Sequence, residues 1–298
     1  MARISKKRFN LRLYIAGIIL AALAIVGILA IVLYSNGWRY QTYDTSNNGK
    51  IKFLGKFEDN VPADGTIYYA DGSTAKVLSG GSDKAASADT GMTVWKLKIQ
   101  YANGDVYEGQ TVHFLRHGIG KLTYGGGDIY QGEFHFDDME GKGTYTYLSG
   151  DRYVGEFSKN LKHGKGTYTW VAGSDGTFDT YEGEYVTGKR CGTGIYTWAD
   201  GTRYEGEFAE DAKDGKGKIT FPDGASYEGD FIADTRTGKG VYLWANGDKY
   251  EGEFHKNAIT GMGTYTWIEN GERRDYTGYF ENGKIVLIEE NAPTTEEE

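Results

Sequence analysis

The stretch YEGEFAEDAKDGKGKITFPDG, Tyr204–Gly224, contains the pattern that decides the fold. It reads as a short strand (YEGEF), a six-residue loop, a second strand (GKGKITF) and a turn that ends in Asp-Gly. Side chains alternate between the two faces of a strand, so Tyr204, Gly206 and Phe208 share one face of the first strand. Asp-Gly accepts the positive φ of a tight hairpin turn. The stretch therefore predicts a β-hairpin with one aromatic face and one charged face.

The same hairpin unit recurs along most of the chain. Its starts are Tyr107, Tyr130, Tyr153, Tyr181, Tyr204, Tyr227 and Tyr250, with a half unit at Tyr276. Five of the seven spacings are 23 residues, and the two longer ones extend a turn without changing the register inside the unit. After the first unit, a structural glycine holds the third position at Gly132, Gly155, Gly183, Gly206, Gly229 and Gly252. A glycine between two aromatic residues leaves a slot over which a ring from the neighbouring strand can lie.

The repeated pattern Y-x-G-x-F, six residues, then G-x-G-x-Y-x-W-x-x-G resembles the MORN repeat. The resemblance covers residues 95–288, and residues 51–94 read as a degenerate copy followed by a flexible Ser/Gly/Ala-rich insertion. One hairpin cannot bury its rings alone, whereas stacked hairpins can. We therefore predict an all-β fold, an elongated and curved single antiparallel sheet of stacked hairpins, because a long open sheet twists. Residues 289–298 carry five Glu and predict a disordered acidic tail.

The N-terminal segment has a different composition. Residues 1–12 are basic, and residues 13–34 form 22 residues without a charge, followed by a juxtamembrane linker over 35–50. A helix of that length spans roughly 33 Å, so we predict a transmembrane helix. A cleaved signal peptide and a buried helix are the alternatives. The positive charges before the apolar stretch predict an N-terminus in the cytoplasm and repeats outside a cytoplasmic membrane.

Charge and cysteine content narrow the function classes. The chain has a net charge of −9, and residues 1–34 carry five positive charges, so the remainder carries −14. Such an acidic domain is repelled by phosphate backbones, which argues against nucleic acid and against adhesion to anionic lipid. Cys191 is the only cysteine, and no His lies within twenty residues of it to act as a base. We expect no cofactor and no metal.

Two sets of side chains could form a binding site. The aromatic rows are the first: Tyr130, Tyr153, Tyr181, Tyr204, Tyr227, Tyr250, Trp170, Trp198, Trp244 and Trp267. Packing between repeats explains them better than a ligand does, because they recur in every unit. The second set is polar: the five His are expected as scattered loop variants, and Asp137, Asp138 and Glu140 as a solvated loop or a weak cation site.

The sequence contains no recognisable catalytic constellation, so we expect a protein that is not an enzyme. The resemblance to MORN proteins implies a membrane-anchored interaction scaffold with a protein partner. A module that binds envelope glycan or lipid through exposed aromatic residues is the alternative. The six-residue loops differ most between units, so we expect partner specificity there.

Overall fold

The computed structural model describes residues 2–45, 49–86, 91–171 and 178–286, with side chains from Tyr14 onward except at 82–86. The elements are α1 (Ala2–Ser35), β1 (Trp38–Thr45), β2 (Gly49–Glu58), β3 (Val61–Tyr68), β4 (Thr74–Ala86), β5 (Thr93–Tyr101), β6 (Val106–Val112), β7 (Leu115–Thr123), β8 (Ile129–His135), β9 (Asp138–Thr146), β10 (Arg152–Ser158), β11 (Leu161–Val171), β12 (Phe178–Val186), β13 (Lys189–Thr197), β14 (Arg203–Ala209), β15 (Ala212–Thr220), β16 (Ser226–Ile232), β17 (Thr235–Leu243), β18 (Lys249–His255), β19 (Ala258–Glu269), β20 (Glu272–Glu281) and β21 (Lys284–Val286). The 21 strands belong to a single antiparallel sheet. This confirms the all-β fold class with one N-terminal helix.

The chain divides into two compact units. The first comprises Met1–Gly126 with Phe134–Asp137, and the second comprises Gly127–Glu133 with the chain from Asp138 onward. Within the first unit, each strand from β1 to β7 pairs with the strand that follows it in sequence. Within the second, the same holds from β9 to β21. Both units are therefore meanders of hairpins.

The helix α1 contains the apolar segment that the sequence predicts. Tyr14–Ser35 is 22 residues long, contains no charged side chain, and is not buried against the rest of the protein. A helix of this length and composition fits a membrane anchor or a signal sequence. The side chain of Arg39 in β1 contacts the C-terminal end of α1. Its guanidinium lies 3.9 Å from the Tyr34 ring centroid and donates to the Tyr34 carbonyl at 2.6 Å.

The residues after the helix form a strand, where the sequence analysis expected a linker. Strand β1 pairs with β2 along its whole length, from Trp38 opposite Lys56 to Thr45 opposite Gly49. The sequence WRYQTYDT contains two Tyr, two Thr and a Trp, which suit a pleated, half-buried surface. The sheet therefore begins only two residues after the helix.

Strand β4 also differs from the sequence expectation. The Ser/Gly/Ala-rich stretch that was expected to be a flexible insertion is a strand as far as Ala86, and residues 87–90 lie outside the described part of the chain. The strand extends this far because it pairs with β5, with irregular register after Val77 and after Ser82. The degenerate copy is thus a part of the same meander.

The core of the second unit is aromatic. Tyr130, Tyr153, Tyr181, Tyr204, Tyr227 and Tyr250 are each 0% exposed. Every one of them meets a Phe or Tyr of the following hairpin edge to face, with ring centroids 4.9–5.2 Å apart. This geometry adds roughly 0.5–1.5 kcal/mol per pair beyond the burial itself. Stacking of the hairpins therefore supplies the core that one hairpin lacks.

The first repeat, which starts at Tyr107, lacks one aromatic residue of the pattern. Thr111 stands where the other units have Phe or Tyr, and it is fully buried. Phe114 fills the space from the turn, with a φ of +67° and ring centroids 4.9 Å from Phe53 and 5.2 Å from Trp95. The departure in sequence is thus compensated by a neighbouring ring.

Candidate functional site

The turn inside each hairpin is tighter than the sequence analysis expected. Six-residue loops were expected, but β14 ends at Ala209 and β15 begins at Ala212, so only Glu210 and Asp211 lie between the strands. Both residues have positive φ, 49° and 74°, as a type I′ turn requires. The other four residues of the expected loop belong to the strands. The variable residues therefore offer little flexible loop for a partner to bind.

A β-bulge follows the turn in β15, and it gives a structural role to Glu207, the second glutamate of the pattern YEGEF. Gly206 pairs with Gly217, but Phe208 pairs with Lys213, so β15 carries two extra residues. The Glu207 carboxylate accepts a hydrogen bond from the Lys216 backbone N–H at 3.1 Å, beside Gly215 with its φ of +107°. Equivalent bonds form at Glu133, Glu156, Glu184 and Asp230. These side chains therefore have a structural role.

The core tyrosine covers the glycine pair. A Cβ atom on Gly206 or on Gly217 would lie 2.5 Å or 2.3 Å from the Tyr204 hydroxyl oxygen. That hydroxyl donates to the Glu207 carbonyl at 3.0 Å. The structural glycines thus lie under a ring, which comes from the same strand for Gly206 and from the neighbouring strand for Gly217. A tyrosine hydroxyl lies equally close to the Cβ position at Gly132, Gly155, Gly183, Gly229 and Gly252.

Five hairpin turns are bonded to the preceding hairpin by a pair of hydrogen bonds that we call the turn brace. In the brace, the Asp234 N–H donates to the Lys213 carbonyl at 2.9 Å, and the Asp234 carboxylate accepts from the Lys213 N–H at 3.0 Å. The same pair of bonds joins Asn160 to Met139, Asp211 to Arg190, Asn257 to Arg236 and, in the first unit, Asp137 to Arg116. At Gly188 only the backbone half of the brace is present, from its N–H to the Lys162 carbonyl at 2.8 Å.

The tryptophans of the aromatic rows are less buried than the core tyrosines. Trp170, Trp198, Trp244 and Trp267 are all half-buried. Each is in contact with the Tyr two residues before it, with centroids 4.3–5.6 Å apart. Trp170 and Trp244 also meet the Tyr of the next hairpin at 5.3 Å and 5.5 Å. Thus the Tyr members of the candidate set form the core, and the Trp members form a partly exposed ring ladder.

Basic side chains lie over the aromatic face. The Arg190 guanidinium carbon is 5.6 Å from the Tyr181 ring centroid and 5.5 Å from those of Tyr196 and Phe208. The Lys213 ammonium is 5.3 Å from the Trp198 ring centroid. Cations over aromatic faces gain electrostatic attraction, and more when they are partly desolvated. Asp211 and Asp234 hold these cations from the turns, at 3.3 Å and 3.1 Å.

The opposite face of the sheet is a ladder of charges. Lys218 faces Glu228 across the strands at 3.4 Å, and Lys216 faces Asp230 at 2.5 Å. Opposite charges on neighbouring strands favour this in-register pairing. A groove of about 1180 Å³ runs over this face. Its walls include Glu205, Lys218, Glu228, Lys239, Val241 and Met262.

The remaining polar candidates contact neighbouring rings or make hydrogen bonds within the fold. His117 is buried with its ring 5.4 Å from His135, so two of the five His are neighbours and not the scattered variants expected. Asp137 is bonded to Arg116, and Glu140 accepts from the Lys159 N–H at 2.9 Å. Among the described residues, no group of three or more His, Cys, Asp or Glu could hold a metal ion.

The acidic residue that follows the turn between repeats was not predicted from the sequence. Asp179 accepts from the Tyr196 hydroxyl at 2.7 Å and from the Ala199 N–H at 2.8 Å. Asp128 and Asp151 make the same two bonds in their units. Its spacing in the sequence could have revealed it. Asp128, Asp151 and Asp179 each lie two residues before the core Tyr of their repeat, and Asp128 and Asp151 directly follow the turn glycine.

Comparison with known proteins gives one family. The model of the family described as "MORN repeat" matches residues 107–129, 130–152, 153–175, 181–203, 204–226, 227–249 and 250–271, which together are more than half of the chain. These seven segments begin at the same tyrosines as the units in the sequence. No curated protein matches the chain.

Similarity to solved structures is low. A mutant of the TCP10 domain of CPAP from Danio rerio is 12% identical, with 72% of this chain and 97% of that chain covered and a TM-score of 0.30. A catalytically inactive virginiamycin B lyase from Staphylococcus aureus, solved with quinupristin, is 11% identical, with 80% and 88% covered and a TM-score of 0.17. A streptogramin B lyase is 13% identical, with 83% and 85% covered and a TM-score of 0.17. At these TM-scores the three structures have no bearing on function.

Proposed function

Because this chain belongs to the MORN repeat family, which is generally non-catalytic, we propose that it is a membrane-anchored scaffold and not an enzyme. The repeats suggest a membrane or protein-interaction module. In this proposal α1 stays in a cytoplasmic membrane with its basic end in the cytoplasm, and the repeat sheet lies outside. The positive charges before the apolar helix support that orientation.

The groove on the charged face is the observation that carries the proposal. The aromatic residues are largely used in packing, whereas this groove lies open along β14–β19. Its walls alternate between Glu and Lys, and Val241 and Met262 add apolar surface. A groove of about 1180 Å³ with paired charges and apolar patches fits an extended segment of a partner protein. We therefore propose that the partner is a protein and that it binds here.

Photo-crosslinking in intact cells tests the partner. A photoreactive amino acid in place of Glu251, which is exposed in the groove, is expected to give an adduct with a partner protein. The matched control is the same amino acid at Ala245, which is exposed in the turn beyond the groove. Equal adducts at both positions, or none at Glu251, would contradict the proposal.

The lone cysteine tests the topology in the unaltered chain. Cys191 is partly exposed on β13, and burial together with Glu184 and Glu210 raises the pKa of its thiol. A membrane-impermeant maleimide at mildly alkaline pH is therefore expected to label the protein on intact cells. The variant Cys191→Ser should give no signal. Labelling that appears only after lysis would show that the repeats face the cytoplasm.

A further inference from the structure

In the described part of the second compact unit, the ring ladder on the aromatic face has one interruption. One run joins Tyr147, Tyr168, Trp170, Tyr196 and Trp198, and a second joins Tyr242, Trp244, Tyr265 and Trp267. Ile219 and Phe221 occupy the intervening Tyr and Trp positions. Where Trp170 and Trp244 have a Tyr ring of the next hairpin against them, Trp198 has the smaller Ile219 at that position. Packing between repeats does not explain this local departure from the pattern.

A cavity lies at this interruption. It has a volume of about 240 Å³ and is lined by Arg190, Tyr196, Trp198, Phe208, Lys213 and Asp234. Three aromatic rings and three charged side chains thus surround one small space. Among the described groups, the cations are largely covered, with side chains 21% exposed for Arg190 and 17% for Lys213, whereas Asp234 is 57% exposed. The carboxylate is therefore the charged group most accessible from solvent.

The charges of this cavity identify the class of ligand. Arg190 is paired with Asp211 and Lys213 with Asp234, so the four groups sum to zero and a polyanion gains no net attraction. They still supply N–H donors and carboxylate acceptors side by side, as a group with several hydroxyls requires. The tryptophan and phenylalanine supply apolar walls. A pyranose ring has this combination, because it presents apolar C–H groups on its faces and hydroxyls at its edge.

We propose that the cavity at Trp198 binds one neutral pyranose ring of a glycan. The ring stacks on Trp198, its hydroxyls donate to the Asp234 carboxylate, and they accept from Lys213 and Arg190. The site goes beyond the protein-binding role proposed above, since it lies on the aromatic face and the groove lies on the charged face. The two roles can therefore fail independently.

Calorimetric titration of the full chain tests the site. The protein is held in a detergent without a sugar headgroup and titrated with chitotetraose, cellotetraose and maltotetraose, with oligogalacturonate as the anionic counterpart. At least one neutral oligosaccharide is expected to bind, and Trp198→Ala is expected to raise its Kd by about tenfold or more. Trp244→Ala is the matched control, because that ring has a Tyr on both sides, whereas Trp198 has a Tyr on one side only.

A second variant separates binding from folding. Asp234→Asn keeps the turn brace, since Asn160 and Asn257 make the same bonds, but it removes the carboxylate acceptor. It should weaken glycan binding severalfold, and it should lower the thermal midpoint only by the small amount that loss of the ion pair with Lys213 costs. The proposal is overturned if no neutral oligosaccharide binds more tightly than about 1 mM. It is equally overturned if only oligogalacturonate binds, or if Trp198→Ala and Trp244→Ala have the same effect.

Discussion

At the residue scale, the glycines under the core tyrosines leave the least room for change. Gly217 pairs with Gly206, and the ring of Tyr204 lies so close that a Cβ atom would sit 2.3 Å from the hydroxyl oxygen and 2.4 Å from a ring carbon. The ring cannot move away, because it is fully buried and its hydroxyl is bonded to the Glu207 carbonyl. One added methyl group must therefore displace either a ring or a strand.

We expect Gly217→Ala to lower the free energy of unfolding by about 1–3 kcal/mol, the usual cost of overpacking. Thermal or urea unfolding followed by circular dichroism measures it. The control is Gly126→Ala, because Gly126 lies in a turn with no atom within 4 Å of its added Cβ. A loss at Gly126 as large as that at Gly217 would contradict the explanation by ring contact.

At the element scale, the turn brace joins five hairpins to the hairpins before them. Asp and Asn suit the second position of the turn for two reasons. They tolerate a left-handed backbone, and their side chains accept a hydrogen bond from the neighbouring strand. The braced Asp and Asn residues have φ values of 66–75°. Gly188 has a φ of 87° and nothing within 4 Å of an added Cβ, so the missing half of the brace could be restored there.

Two variants test how much the turn brace contributes to stability, one by adding its side-chain hydrogen bond and the other by removing it. Gly188→Asn should add the bond to the Lys162 N–H and raise the free energy of unfolding by about 0.5–1 kcal/mol. Asp211→Gly should remove the equivalent bond at Arg190, together with its ion pair, and lower it by about 1–2 kcal/mol. Chemical unfolding of both variants beside the unaltered protein is the measurement. If both changes shift the midpoint in the same direction, the brace does not determine the stability.

Patterns within one repeat and the stacking of its rings against the next repeat could be predicted from the sequence, whereas the tight turns and the turn brace could not. The aromatic face, the glycine slots and the Glu–Lys pairing follow from alternation along a strand and from a fixed repeat. The I′ turns were missed because residues such as Ala233 and Glu210, with φ of 44° and 49°, are not turn residues by composition. The cavity at Trp198 is lined by residues as far apart in sequence as Arg190 and Asp234, and only the register of the neighbouring strands brings these positions together.

At the scale of the whole molecule, buried tyrosine hydroxyls link stability to alkaline pH. Burial raises the pKa of Tyr181 and of Tyr227 to about 12, whereas an exposed tyrosine in an unfolded chain titrates near 10. Burial also raises the pKa of Tyr153 and Tyr204. Between about pH 10 and 12 the folded protein therefore keeps protons that the unfolded chain has released, so the free energy of unfolding falls as pH rises.

We expect the second unit to be fully stable below about pH 10 and to unfold steeply as the pH approaches 12, because several tyrosines titrate together. Phenolate absorbance and circular dichroism should change in the same transition. Tyr181→Phe removes one of the linked protons and should make the transition less steep. A loss of structure that begins below about pH 9, before phenolate forms, would exclude this explanation.

The direction of the turn brace has a consequence for the order in which the protein is made. The braced hairpins bond backwards, to a strand 21 residues earlier, as Asp234 does to Lys213 and Asp211 to Arg190. During synthesis, the N–H and carbonyl groups that receive a new hairpin are therefore already in place when that hairpin emerges. Since the sequence separation of these bonds stays short along the array, contact order stays low and assembly can keep pace with translation. An array built this way can gain repeats at its growing end without re-forming the repeats before it.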